Sequence, residues 1–334
     1  MDKRELLGPW IRRFLLEHIV EERNLSHNTQ QSYRDMLAML LPFVAAQAES
    51  PLDRLRVIDL TASRVRAFLA HLEQVRKVSI GTRNQRLASI HALARFIAEY
   101  SPQHVAWSGE IRTVPFKKTI RKLVSYLEKP EVEALLAVPD RTTPQGQRNY
   151  ALLLFLYNSG ARASEAANLC IVDLELDTRP PLTPSVRILG KGGKVRRCPL
   201  WKKTAVELAQ LVAERLPQER VFLNRRKQSL TRFGIHALMK VCVRRARERM
   251  PELLTKRIGP HTMRHSTATH LLRAGVDLNT IRCWLGHVSL DTTQIYAEVD
   301  LEMKARALER CNSAETKRPS VAAQGDLMHF LRAL

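Results

Sequence analysis

The stretch QRNYALLLFLYNSGARASEAANL, Gln147 to Leu169, decides how the chain folds. Its first half is apolar on nearly every face, so it reads as a helix buried in a core rather than one lying on a surface. A turn at Ser159-Gly160 ends it, and a second helix begins near Ala163. Arg162 and Glu165 therefore stand at the opening of that second helix, three residues apart.

Downstream, VRILGKGGKVRRCPL gives the clearest strand signal of the chain: two short runs flank a Gly-Lys-Gly-Gly turn, as in a β-hairpin. Helices follow at roughly 203 to 215, 231 to 249, 262 to 274 and 278 to 285, with Gly275 and Gly286 where C-terminal caps belong. Upstream, helical periodicity runs from Pro130 to Ala137. Before that, roughly residues 102 to 124 lose periodicity, carry Pro102 and Pro115 and contain the basic patch Lys117, Lys118, Arg121 and Lys122. This stretch reads as an interdomain linker placed to track a nucleic-acid backbone.

The first hundred residues hold four amphipathic segments, at roughly 3 to 22, 27 to 48, 61 to 76 and 79 to 100. Thr61 is the expected N-cap of the third, whose Val65, Phe68, Leu69 and Leu72 recur at helical spacing. The fourth places Leu87, Ile90, Leu93, Ala94 and Ile97 on one face. Its first turn carries Arg83, Asn84 and Arg86, side chains suited either to phosphate and base-edge contacts or to a solvated face.

A chain of 334 residues suggests two domains. Lys and Arg number 54 against 33 Asp and Glu, a formal charge of +21, and an excess of that size argues for a polyanionic partner. No run approaches transmembrane length, and the charged N-terminal segment does not read as a signal peptide. The five cysteines are scattered without a C-x-x-C pair, which suits reduced thiols in a cytosolic protein.

No Walker A loop, G-x-S-x-G elbow, H-E-x-x-H or magnesium-binding acidic cluster occurs. His261 and His265 lie four apart on a presumed helix, but an arginine between them and no nearby carboxylate argue against a metal. A different pattern emerges from the residues at turns and helix starts: Arg162, Lys191, His261, Arg264, His287 and Tyr296. Any one of them could serve packing or a surface contact. Together they supply what metal-free phosphodiester transfer requires: arginine forks for the non-bridging oxygens, a hydroxyl nucleophile, and a lysine and histidines to move protons.

The segments SGARASEAANL, LGKGGKVRRCPL, PHTMRHSTATHLLRAGVDLNTIRCWLGH and SLDTTQIYAEV, in this order, closely resemble the tyrosine recombinases of the phage-integrase family, in particular the Xer type. The helices around TRNQRLASIHALARF resemble that family's core-binding domain. The resemblance implies a mostly α fold with a small antiparallel β-sheet in the catalytic domain, preceded by a four-helix, SAM-like core-binding domain. It implies core-binding residues 1–105, a basic linker 106–124, a catalytic domain 125–311 and a tail 312–334 that docks on a neighbouring protomer.

Residue by residue, Arg162 matches the first catalytic arginine and Glu165 the acidic residue that follows it. Lys191 matches the lysine of the hairpin turn, with Lys194 its local competitor. His261 and Arg264 match the H-x-x-R pair, His287 the position after Leu-Gly, and Tyr296 the nucleophile, while His265 is assigned to support. Ala161 and Met263 depart from the family pattern, apolar for apolar. The resemblance further implies double-stranded DNA recombination sites as partners, assembly with like protomers or with a second recombinase on DNA, no cofactor, and a bacterial cytoplasmic, nucleoid-associated setting. Two other readings share parts of this pattern: a type IB topoisomerase and a catalytically silent DNA-binding regulator.

Overall fold

The periodic apolar residues of the first hundred positions build helices where expected in a computed structural model that describes residues 5–119 and 125–286. Helix α1, Leu7–Arg13, passes into a π-helical stretch, Phe14–Glu22. Helices α2, His27–Gln47, α3, Ala62–Gln74, and α4, Ile80–Tyr100, follow. The Thr61 hydroxyl accepts the Arg64 backbone N–H at 3.2 Å and so caps α3. Phe14, Leu40, Val65, Phe68, Leu87, Ile90, Leu93 and Ile97 are all buried in one core.

One stretch differs from the sequence reading. Residues Val105–Arg112, placed there in the linker, form helix α5. Trp107 and Ile111 bury against the same core, and the indole N–H of Trp107 donates to the Leu60 carbonyl at 2.7 Å. Polar residues and glycine around two apolar anchors hid this short helix from a periodicity reading. The chain divides into two compact units at residue 122, so α5 lies within the first.

In the second unit, α6, Lys129–Leu136, leads to α7, Pro144–Ser159, and α8, Ala163–Asn168. Residues Tyr150 to Leu156 are all buried, as an all-round apolar helix must be. Strands β1, Leu174–Glu175, β2, Ser185–Leu189, and β3, Val195–Pro199, make an antiparallel sheet in the order β1-β2-β3, with Val186 opposite Cys198 and Ile188 opposite Arg196. The β2–β3 hairpin is the expected one. The two-residue β1 is too short to show alternation and went unpredicted.

Helices α9, Lys202–Val212, α10, Arg232–Arg249, α11, Pro260–Arg273, and α12, Leu278–Leu285, complete the described chain. Gly275, at φ 88°, follows α11, and Gly286, at φ 67°, caps α12, both in the left-handed region where glycine costs least. Ala268, Leu272, Ile281 and Leu285 pack α12 onto α11. Cys170, Cys198, Cys242 and Cys283 are free thiols. Among the described residues no helix is long and apolar enough to cross a membrane. The expected tail 312–334 and Cys311 lie outside the described residues.

Because Trp107 anchors α5 to the first core, Trp107→Ala is expected to destabilise that unit by about 3–5 kcal/mol. Urea denaturation of the full chain checks this. An unchanged unfolding transition would return residues 105–112 to the linker.

Candidate active site

The turn after α7 is the point around which the site is built. Gly160 caps α7 at φ 59°, and a Cβ there would come within 2.5 Å of Leu285 Cδ2. Only glycine permits both the left-handed turn and the close approach of the end of α12. The Gly160 carbonyl accepts Arg264 Nη1 at 2.8 Å, and the Leu285 carbonyl accepts Arg264 Nη2 at 2.7 Å. Arg264, 3% exposed on α11, thus binds the ends of α7 and α12 together through their terminal carbonyls. Helix C-termini carry partial negative charge, which suits a buried guanidinium.

Two residues beyond Gly160, Arg162 caps α8. Its backbone N–H donates to Glu165 Oε2 at 2.8 Å and its Nη1 to Glu165 Oε1 at 2.7 Å. Glu165 also receives a residue absent from the sequence-derived set. Arg196 on β3 donates Nη2 to Glu165 Oε2 at 2.7 Å and Nη1 to Oε1 at 3.2 Å, while its Nε donates to the Trp284 carbonyl at 2.9 Å. Burial raises the Glu165 pKa, but the hydrogen bonds and charge of Arg196, then the hydrogen bonds of Arg162, outweigh it and hold the carboxyl below its ordinary range. The signal for Arg196 was present: strand period two puts it on the same face as buried Cys198, where a cation requires a carboxylate.

His261 and His265 stand on the first two turns of α11. The His261 pKa is lowered by burial, then by Arg264, His236 and Arg162, so the imidazole is neutral near pH 7 and able to take a proton. His265 is pushed down to about 4, by burial first and then by His261 and Arg264. Arg162, Arg264 and His261 therefore share one electrostatic neighbourhood, at the junction of α7, α8 and α11. Lys191 opens the 3₁₀ turn Lys191–Gly193 of the β2–β3 hairpin, in which Gly192 and Gly193 have φ of 74° and 75°. Gly190 donates its N–H to the Lys194 carbonyl at 2.8 Å, closing that turn. His287 and Tyr296 lie outside the described residues; in sequence, His287 directly follows Gly286.

In the first unit the polar run of α4 has a different part from the one expected. Arg83 is 5% exposed, not on the open face of the helix. Its Nη1 donates to the Pro115 carbonyl at 2.8 Å and its Nε lies 3.5 Å from Glu73. Asn84 donates to the Lys117 carbonyl at 2.7 Å and accepts the Lys117 N–H at 3.1 Å. Together they pin the segment that follows α5. Arg86, partly buried, donates to the Ser32 carbonyl at 3.1 Å. Lys117 is exposed and paired with Glu73 at 2.8 Å, and Lys118 is exposed. Arg121 and Lys122 lie outside the described residues.

Comparison with known proteins gives this arrangement its class. Residues 125–303 match the phage integrase family, and residues 11–99 match the phage integrase N-terminal SAM-like domain. The chain belongs to the phage integrase family, the tyrosine recombinases, enzymes that recombine DNA site-specifically by transesterification. It is 36% identical over 336 residues to the protein y4rC of Sinorhizobium fredii, described as an integrase/recombinase, covering 100% of both chains. It is 33% identical over 302 residues to the tyrosine recombinase XerD of Bifidobacterium longum, covering 86% of this chain and 92% of that one. The fold is similar to that of the Tn1549 transposon integrase in complex with transposon right end DNA, with a TM-score of 0.67 and 18% identity over 90% of this chain and 99% of the other.

The depressed His265 pKa has a consequence for stability. Between its folded value of about 4 and its ordinary 6.5, the unfolded chain binds a proton that the folded chain does not. Stability is therefore complete above pH 6.5 and lost as pH falls toward 4, by up to about 3 kcal/mol. His265→Asn is expected to flatten that slope in urea titrations at pH 7, 5.5 and 4.5. An identical slope in the variant would assign it to other groups.

Proposed function

We propose that this chain cleaves and rejoins double-stranded DNA at specific sites through a 3′-phosphotyrosyl intermediate, with Tyr296 as nucleophile and with exchange passing through a Holliday junction. The observation that carries the reading is the convergence of Arg162, Arg264 and His261 at the junction of α7, α8 and α11, with the chain leaving α12 at Gly286, directly before His287. Nine residues on in the sequence comes Tyr296.

In this reading the Tyr296 hydroxyl attacks the scissile phosphorus, a P–O bond to tyrosine forms, and the P–O5′ bond breaks. The phenolic proton passes to a neutral imidazole, the form in which the lowered pKa keeps His261 near pH 7. Lys191 delivers a proton to the departing 5′ oxygen. Arg162, Arg264 and His287 hold the non-bridging oxygens, whose charge grows in the transition state. The 5′ hydroxyl of a partner duplex then attacks the phosphotyrosine and restores both the diester and the phenol. The bond energy is conserved, so the cycle consumes no nucleotide. Residues 125–311 serve as the catalytic domain and 1–105 with α5 as the core-binding domain. Lys117, Lys118, Arg121 and Lys122 follow the duplex backbone, and residues 312–334 dock on a neighbouring protomer. The protomers act together on two sites, as copies of this chain or with a second recombinase.

Tyr296→Phe is expected to bind site DNA and form no covalent complex on a nicked suicide substrate. Arg162→Ala and Arg264→Ala are expected to slow cleavage by roughly 10²–10³-fold, the value of one transition-state donor. Covalent trapping by the Phe variant would remove Tyr296 from its role.

A further inference from the structure

We propose that Arg196 is a positioning residue of the strand-transfer site, a guanidinium that sets Arg162 through Glu165 and sets the exit of α12 through the Trp284 carbonyl. This rests on the reading of the site given above. Arg196 does not stand where the phosphate is to be held: its side chain is 9% exposed, and all three of its nitrogens are spent on protein acceptors.

Those acceptors belong to separate pieces of the site. Two nitrogens grip both oxygens of Glu165, and the same two oxygens hold the backbone N–H and Nη1 of Arg162. The carboxylate is thus shared between an outer arginine and an inner one, and the position of either oxygen fixes both. The third nitrogen holds the carbonyl of Trp284, two residues before Gly286. Arg196 itself belongs to β3, the strand that returns from the turn carrying Lys191. One planar fork therefore ties the first arginine's turn, the lysine hairpin and the segment leading to His287 into one frame.

Gly286 makes room for it, and Gly190 lies in ordinary contact beside it. A Cβ on Gly286 would come within 3.1 Å of Arg196 Cδ and Nη1, and one on Gly190 within 3.6 Å of Nη1 and 3.7 Å of Glu165 Oε1. Gly190 precedes Lys191 and Gly286 precedes His287, so the backbone on the approach to each expected catalytic side chain passes directly over this guanidinium. Lysine in its place would keep the charge and lose the fork, because an ammonium cannot grip both carboxylate oxygens in plane and reach the Trp284 carbonyl as well. A misplacement of reacting groups by about 1 Å costs as much as 10²-fold in rate, and that is the scale of effect the frame controls.

The test is single-turnover cleavage of a suicide substrate by the full-length chain, read beside its affinity for the same DNA. Arg196→Ala is expected to cleave roughly 10²-fold more slowly than wild type with affinity unchanged. Arg196→Lys is expected to be intermediate, and it provides the reading if the Ala variant does not fold. Glu165→Gln is expected to show a loss of similar size, and the double variant to be no slower than the worse single one, because both act through one contact. Cleavage at the wild-type rate by bound Arg196→Ala, or losses that multiply in the double variant, would overturn the positioning role while leaving the proposed reaction intact. A wild-type chain that forms no covalent adduct would overturn both.

Discussion

A guanidinium kept in a protein interior has to be held by acceptors, since the cost of an unpaired buried cation exceeds what any single contact returns. Arg264 places Nη1 on the carbonyl at the end of α7 and Nη2 on the carbonyl at the end of α12, and the rest of the site is arranged around the need to bring those two ends together. Gly160 must be glycine for the ends to meet. Leu285 must pack beside it, and α12 must dock on α11 through Ala268, Leu272 and Ile281. The charge is therefore central to a local fold and not merely placed on it.

The same principle operates at Glu165. A buried carboxylate between two arginines leaves net positive charge in the site, and the outer member, Arg162, retains an exposed portion, about 32% of its side chain. The inner member, Arg196, is closed off. Two residues of one chemical type thus share one carboxylate, one with an open edge and the other enclosed by protein. In the first unit, Arg83 repeats the inner arrangement, with a buried guanidinium clamping a chain segment through Pro115. In a chain of charge +21, some of the cations serve the fold and only the others remain for a polyanion.

What could be read from the sequence follows from how locally each feature is determined. The all-apolar helix α7, the Gly-Lys-Gly-Gly hairpin and the glycine caps after α11 and α12 are set by residues within a few positions of one another, and they lie where periodicity and turn chemistry place them. Helix α5 was missed because its anchors, Trp107 and Ile111, gain meaning only against a core formed by residues elsewhere, and Trp107 is tied to Leu60 across 47 positions. Strand β1 was missed for the same reason: its two residues are a strand only because β2 lies beside them. Arg162, Glu165, His261 and Arg264 were singled out through motifs. Arg196, whose partner lies 31 positions away, was passed over as one more cation in a basic run.

Arg83 shows where motif-free reading fails. On a helical wheel it belongs to a polar turn with Asn84 and Arg86, and nothing local separates a side chain that contacts a phosphate from one that closes on a carbonyl. The difference is made by the segment after α5, whose Pro115 and Lys117 backbone groups take their partners from side chains of α4. Arg83 and Asn84 supply those partners. The basic patch that follows is thereby fixed at its start, and Lys117 and Lys118 stay exposed beyond it. A basic segment anchored by buried polar contacts gives up less conformational entropy on meeting a duplex than a free one does. Anchoring of this kind lowers the entropic cost of any contact the segment makes, without adding a charge.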